Sequence, residues 1–158
     1  MAFLFRNATS PTEALAADLH ERWREQYRKS HGALPKLKQT SDRNWSARHG
    51  GKNIVDIANT PFQDLPVDWQ RDNFEAAEAA LSMVKDRASR GEPFDNQFIE
   101  NASAILHDRW RERAGPTASP ELQVPFGELP RDEREKDRAQ IVAAIKIHRD
   151  RRRWWHIF

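Results

Sequence analysis

At 158 residues the chain is the size of one domain or of two very small ones, and without cysteine it has neither a disulfide framework nor thiol chemistry. Its 26 Lys+Arg against 24 Asp+Glu leave a formal net charge of +2, and the signs are interleaved, which argues for ion-paired solvated helix faces and against a nucleic-acid groove. No apolar run approaches the length of a membrane span, and the opening MAFLFRNATSP breaks too early for a secretory signal, so a cytoplasmic protein without a membrane partner is expected.

Ser10 to Glu13 spell a helix start: Ser10 caps, Pro11 suits the first turn and Glu13 completes a capping box. Leu15, Leu19, Trp23 and Tyr27 follow at a spacing of four as one apolar stripe, and Gly32 stops the helix after about Ser30. From Ala33 to Phe62 the pattern is irregular, a long ordered excursion with one helical turn, of a length that in compact domains is often functional. It is either a lid that brings Lys36, Lys38, Arg43, Arg48, His49 and Lys52 to phosphates, or a wrap anchored on the helical core by Trp45 and Ile54. A second helix is predicted from near Pro66 to Gly91, rich in alanine with Leu81 and Val84. A third follows the cap Asp95, carries Phe98, Ile99, Ala102, Ile105, Leu106 and Trp110, and ends at Gly115-Pro116. A fourth runs from near Pro130 through Ile141, Val142 and Ile145 to about Arg152. Strand-type alternation is nearly absent, so the fold class is all-α. The chain closes on RRRWWHIF, whose exposed tryptophans would either dock on the core or make a homodimer contact.

The chain repeats itself. LHERWRE at Leu19–Glu25 matches LHDRWRE at Leu106–Glu112, and FQDLPVDWQRDNFEAAEAAL at Phe62–Leu81 matches FGELPRDEREKDRAQIVAAI at Phe126–Ile145. Asn73 falls opposite Asp137 in the second pair. Each half reads helix, connection, Phe-x-acid-Leu-Pro, helix, and the first half carries the insertion. One hairpin buries too little to stand alone, whereas two can close a single core. A single domain over residues 1–158 is expected, with repeat one at about 11–90, repeat two at about 94–152 and the tail at 153–158, the hairpins packed about a pseudo-two-fold axis.

These motifs resemble the RyR repeat, named after the ryanodine receptor and found singly or in tandem in bacterial, archaeal and phage proteins. The second half carries the resemblance in Leu106, His107, Trp110, Pro120, Leu122, Pro125, Phe126, Leu129, Pro130, Lys136, Asp137 and Arg138. Phe126 stands where the family has Tyr, Ser119 where it has His, and the family's Gly-Trp-x-Tyr-Gly loop is missing. The first half keeps Leu19-His20, Trp23, Phe62, Leu65-Pro66 and Asn73. The resemblance implies binding rather than catalysis, with an adenine nucleotide between tandem repeats, lined here by Trp23 and Trp110. His20, His107, Arg24 and Arg111 would lie nearby.

The residue chemistry is compatible with that. A purine stacks well on Trp, for roughly 1–3 kcal/mol per base, and Arg offers phosphate a planar fork. His and Trp three apart, with Arg four from the His, share nearly one helix face. Asn73 and Asp137 would add hydrogen bonds to a base edge or ribose. Against this stands a plain alternative: each Trp and His packs its own hairpin, as Leu19 and Leu106 do, and the protein is a structural or protein-interaction domain without a small ligand. HERWR lacks the second metal ligand of a zinc-protease motif, since Arg24 occupies its position, and HGGKN lacks the remainder of a P-loop. No nucleophile–base pair or set-apart carboxylate pair is visible. A non-enzymatic module without cofactor or metal is therefore expected, and the resemblance to the RyR repeat implies that it senses or sequesters an adenine-containing or NAD-derived nucleotide in the cytoplasm.

Overall fold

The computed structural model describes residues 10–155, except the side chains of Thr117, Trp154 and Trp155. The leader question at MAFLFRNATS and the contacts expected of the aromatic tail thus lie outside the described residues, apart from Ser10 and Arg151–Arg153. The chain divides into two compact units, Met1–Glu75 and Ala76–Phe158.

In the first unit, helix α1 spans Pro11–His31. Ser10 caps it by accepting from the Glu13 N–H at 3.1 Å, and the Gly32 N–H closes its end on the Arg28 carbonyl. The excursion that follows has more regular structure than its sequence predicts. Strands β1 (Leu37–Gln39) and β2 (Ile54–Asp56) pair antiparallel, with Lys38 opposite Val55, and helix α2 (Arg43–Arg48) lies between them. The expected anchor Ile54 is 42% exposed, while Val55 is 1% exposed. Neighbouring strand residues face opposite sides, so only one of the two can enter the core. Trp45, Ile57 and Ala58 are buried with Val55, alongside Leu15, Ala16, Phe62 and Leu65. The segment thus contributes to the core of its own unit. Leu19, expected in the core, is half-buried.

Two carboxylates tie the excursion to the next helix, α3 (Val67–Ser89). Asp42 accepts from the Trp45 N–H to cap α2, and its other oxygen accepts from the Val67 N–H at 2.9 Å. Asp68 accepts from the Thr40 hydroxyl at 2.8 Å and the Ser41 N–H at 2.9 Å. Each satisfies donors that a helix start or a loop would otherwise leave unpaired. Between α2 and β2, Gly50 and Gly51 adopt φ of 69° and 77°, a conformation that glycine alone adopts without penalty.

The second unit takes over α3 at Ala76, with Ala77, Ala80, Leu81 and Val84 buried. Helix α4 spans Asn96–Ala114, capped by Asp95 through the Phe98 N–H at 2.9 Å, and helix α5 spans Arg131–Trp155, three residues beyond the predicted end. Short 3-10 turns connect them, the last at Phe126–Glu128. Ile141, Ala144 and Ile145 of α5 are buried, and Arg138 pairs with Glu100 of α4 and with Glu135. The architecture is all-α with one minor ribbon. Among the described residues no helix is long and apolar enough to cross a membrane.

Candidate functional site

The repeated motif adopts the same local geometry in each unit. His20 is 4% exposed and so is His107. The Nε2 of His20 lies 2.8 Å from the Thr60 carbonyl, and that of His107 2.8 Å from the Val124 carbonyl. A carbonyl only accepts, so Nε2 carries the proton in both rings. Each histidine stacks on its motif tryptophan, His20 on Trp23 at 5.9 Å and 20°, His107 on Trp110 at 5.8 Å and 22°. Each tilts against the phenylalanine of Phe-x-acid-Leu-Pro, His20 on Phe62 at 6.4 Å and His107 on Phe126 at 6.5 Å. The small residue one turn before each histidine, Ala16 or Ser103, is fully buried, which lets the ring reach the connection. The histidine therefore fastens its helix to the loop ahead of the 3-10 turn.

The other predicted site residues differ between the units. Arg24 donates from Nε to the Ala58 carbonyl at 3.1 Å and pairs with Glu21 at 2.7 Å, leaving 14% of its side chain exposed. Arg111 is 34% exposed and its one described pairing is with Asp108 at 3.3 Å. Trp23 and Trp110 are both half-buried. Trp23 belongs to an aromatic ladder along α1, followed by Tyr27 at 5.3 Å and then His31. Trp110 has His107 against it and no second ring among the described residues.

Asn73 and Asp137 occupy matching positions with different surroundings. Asn73 donates to the Trp69 carbonyl of its own helix at 3.0 Å. Asp137 places a carboxyl oxygen 3.6 Å from His107 Nδ1, with 15% of its side chain exposed. Burial, reinforced by the charge of Glu133 and opposed by Lys136, pushes the Asp137 carboxyl up to about 7.

His20, Trp23 and Arg24 thus come together in one unit, and His107, Trp110, Arg111 and Asp137 in the other; Asn73 bonds within α3. Among the described residues no cluster of His, Asp and Glu is arranged to hold a metal. Two concave surfaces were not anticipated. A shallow depression of about 460 Å³ lies beside Thr40, Arg43 and Asn53. A groove of about 660 Å³ runs along α5 beside Phe94 and Ile99. Its signal in the sequence was the helical spacing of Val142, Ile145, Lys146, Arg149 and Arg153, apolar first and cationic after. No family model matches the chain, and neither a curated protein nor a solved structure is significantly similar to it.

Proposed function

We propose that this chain is a non-enzymatic, cytoplasmic binding module of two RyR-like repeats that captures an adenine-containing or NAD-derived nucleotide for signalling or sequestration. The observation that supports this most is Trp110. Its ring is half-buried and backed by His107 at 5.8 Å, with the partly exposed Arg111 one residue further on. A buried imidazole behind an indole fixes the indole plane, so a base stacking on it loses little to side-chain ordering. Stacking contributes on the order of 1–3 kcal/mol, and Arg111 would offer its planar fork to a phosphate on releasing Asp108. Trp23 carries the same motif, with Tyr27 occupying more of its surroundings.

The test is a thermal-shift series with ATP, ADP-ribose, NAD and cyclic nucleotides at millimolar concentration, since a ligand bound only by the folded state raises the melting temperature. A shift that disappears in Trp110→Ala, with circular dichroism unchanged, supports the proposal. A shift that survives Trp110→Ala combined with Trp23→Ala sinks it.

A second function, a helical interaction domain without a small ligand, is favoured by a separate observation. His20 and His107 each bond a carbonyl of the protein's own chain through Nε2, and Arg24 bonds one through Nε and the Glu21 carboxylate through its guanidinium end. A homodimer contact through the aromatic tail belongs with that function, and both predict no shift with any nucleotide.

A further inference from the structure

The groove along α5 is lined on one side by hydrocarbon and on the other by charge. Phe94, Ile99, Val142 and Ile145 form its apolar part, and Val142 is 51% exposed there. Lys146, Arg149, Arg152 and Arg153 form its cationic part, against one acid among the described residues, Asp150. Along α5 the two classes are segregated lengthwise, with the apolar residues at the N-terminal end and the arginines at the C-terminal end. From Val142 to Arg153 the stripe is roughly 16 Å long at the helical rise.

Two features distinguish the groove from an ordinary solvated helix face. None of its four cations is ion-paired among the described residues, whereas Arg87, Arg90 and Arg138 of the same unit all have carboxylate partners. Arg149 instead sits over the Phe94 ring at 5.5 Å. In addition, among the described residues no hydroxyl or amide side chain lines the groove. The polar groups its side chains offer are therefore the four cations and the carboxylate of Asp150, all of them charged.

A site that offers hydrocarbon at one end and uncompensated positive charge at the other suits a ligand with the converse arrangement. We propose that this groove binds a single-chain anionic amphiphile, with its alkyl chain on Ile99 and Val142, above the buried Ile145, and its carboxylate or phosphate head among Arg149, Arg152 and Arg153. Its volume of about 660 Å³ falls within the range of small-ligand pockets. The site is separate from Trp110 and from the nucleotide proposal.

The experiment is calorimetric titration of the full chain with decyl phosphate, below its micelle concentration, and with three comparators. Inorganic phosphate supplies the head alone, decyl maltoside the chain alone, and an acidic amphipathic helical peptide the same charges on a macromolecule. Methyl NMR signals of Val142 and Ile145 locate the binding. The expected result is saturable binding of decyl phosphate that moves those methyls, with each of the three comparators weaker by about tenfold or more. Arg152→Glu with Arg153→Glu, both exposed, should weaken decyl phosphate by a similar factor at unchanged melting temperature. Val142→Asp should do the same through the chain. Equal binding of decyl maltoside, binding of phosphate alone, preference for the peptide, or no heat and no methyl shift would each overturn the proposal. Because nucleotide binding is lost through Trp110 and amphiphile binding through Arg152 and Arg153, failure of one leaves the other intact.

Discussion

His107 and Asp137 show how much one position changes between matching motifs. In the first unit the equivalent of Asp137 is Asn73, which cannot titrate. Asp137 holds its proton up to about pH 7 in the folded protein, while in the unfolded chain it releases it near the ordinary value of 3.8. Below the unfolded value both states are protonated and the group contributes no pH dependence. As the pH climbs from there towards 7 the unfolded state alone loses its proton, so stability falls, by at most about 1.4 kcal/mol per pH unit. Above the folded value the dependence levels off. Urea midpoints measured from pH 4.5 to 7.5 carry this decline against the opposite slope of His20 and His148, whose burial holds them below the ordinary imidazole value, so Asp137→Asn should raise the midpoint near pH 7 relative to pH 4.5 by more than the wild type shows. An identical profile in the variant would show that the carboxyl is not held protonated. The histidines make a second prediction. Removing either ring orphans a part-buried carbonyl, at Thr60 or Val124, and this costs about 1–3 kcal/mol before any cavity is counted. His20→Ala and His107→Ala should each lower the unfolding free energy from urea titration by at least that amount, and an unchanged midpoint in either would deny that ring its fastening role.

At the scale of elements, the helices were legible because their signals are local. Ser10 and Asp95 cap three residues ahead, and Gly32 and Gly115 close on a carbonyl four residues behind. The ribbon in the excursion was not legible, because three-residue strands are too short to show alternation. That is also why Ile54 and Val55 were indistinguishable as anchors. The candidate site was legible as a set of residues but not as a set of roles. The bonds that decide those roles join His20 to Thr60, Arg24 to Ala58 and His107 to Val124, at sequence separations of 40, 34 and 17. An arginine repeated at one offset could equally have faced a ligand or a loop carbonyl; in Arg24 it faces the carbonyl. The same distance from local pattern applies to Asp42, which serves α2 and α3 at once. Asp42→Ala should therefore lower the melting temperature more than Asp95→Ala, which removes one cap worth about 1 kcal/mol. Differential scanning calorimetry of the two variants makes the comparison.

At the scale of the whole molecule, each unit has its own buried set, Leu15, Val55 and Phe62 in one and Val84, Ile141 and Ile145 in the other. One helix, α3, begins in the first and ends in the second. Melting either unit therefore frays a helix that the other depends on. Leu15→Ala and Ile141→Ala, both at fully buried positions, should each cost about 2–5 kcal/mol. Unfolding should stay a single transition whether followed by tryptophan fluorescence or by far-ultraviolet circular dichroism. Separate midpoints for the two probes would mean that the shared helix does not couple them. The turn at Gly50-Gly51 has a practical consequence of another kind. It is exposed, nothing lies within 4 Å of where a side chain would begin at either glycine, and the clamps made by Asp42 and Asp68 hold one side of the segment it interrupts. A fluorophore-bearing cysteine peptide or a small affinity tag spliced between these glycines would leave both units intact, giving this cysteine-free chain one addressable point for labelling, immobilisation or single-molecule observation.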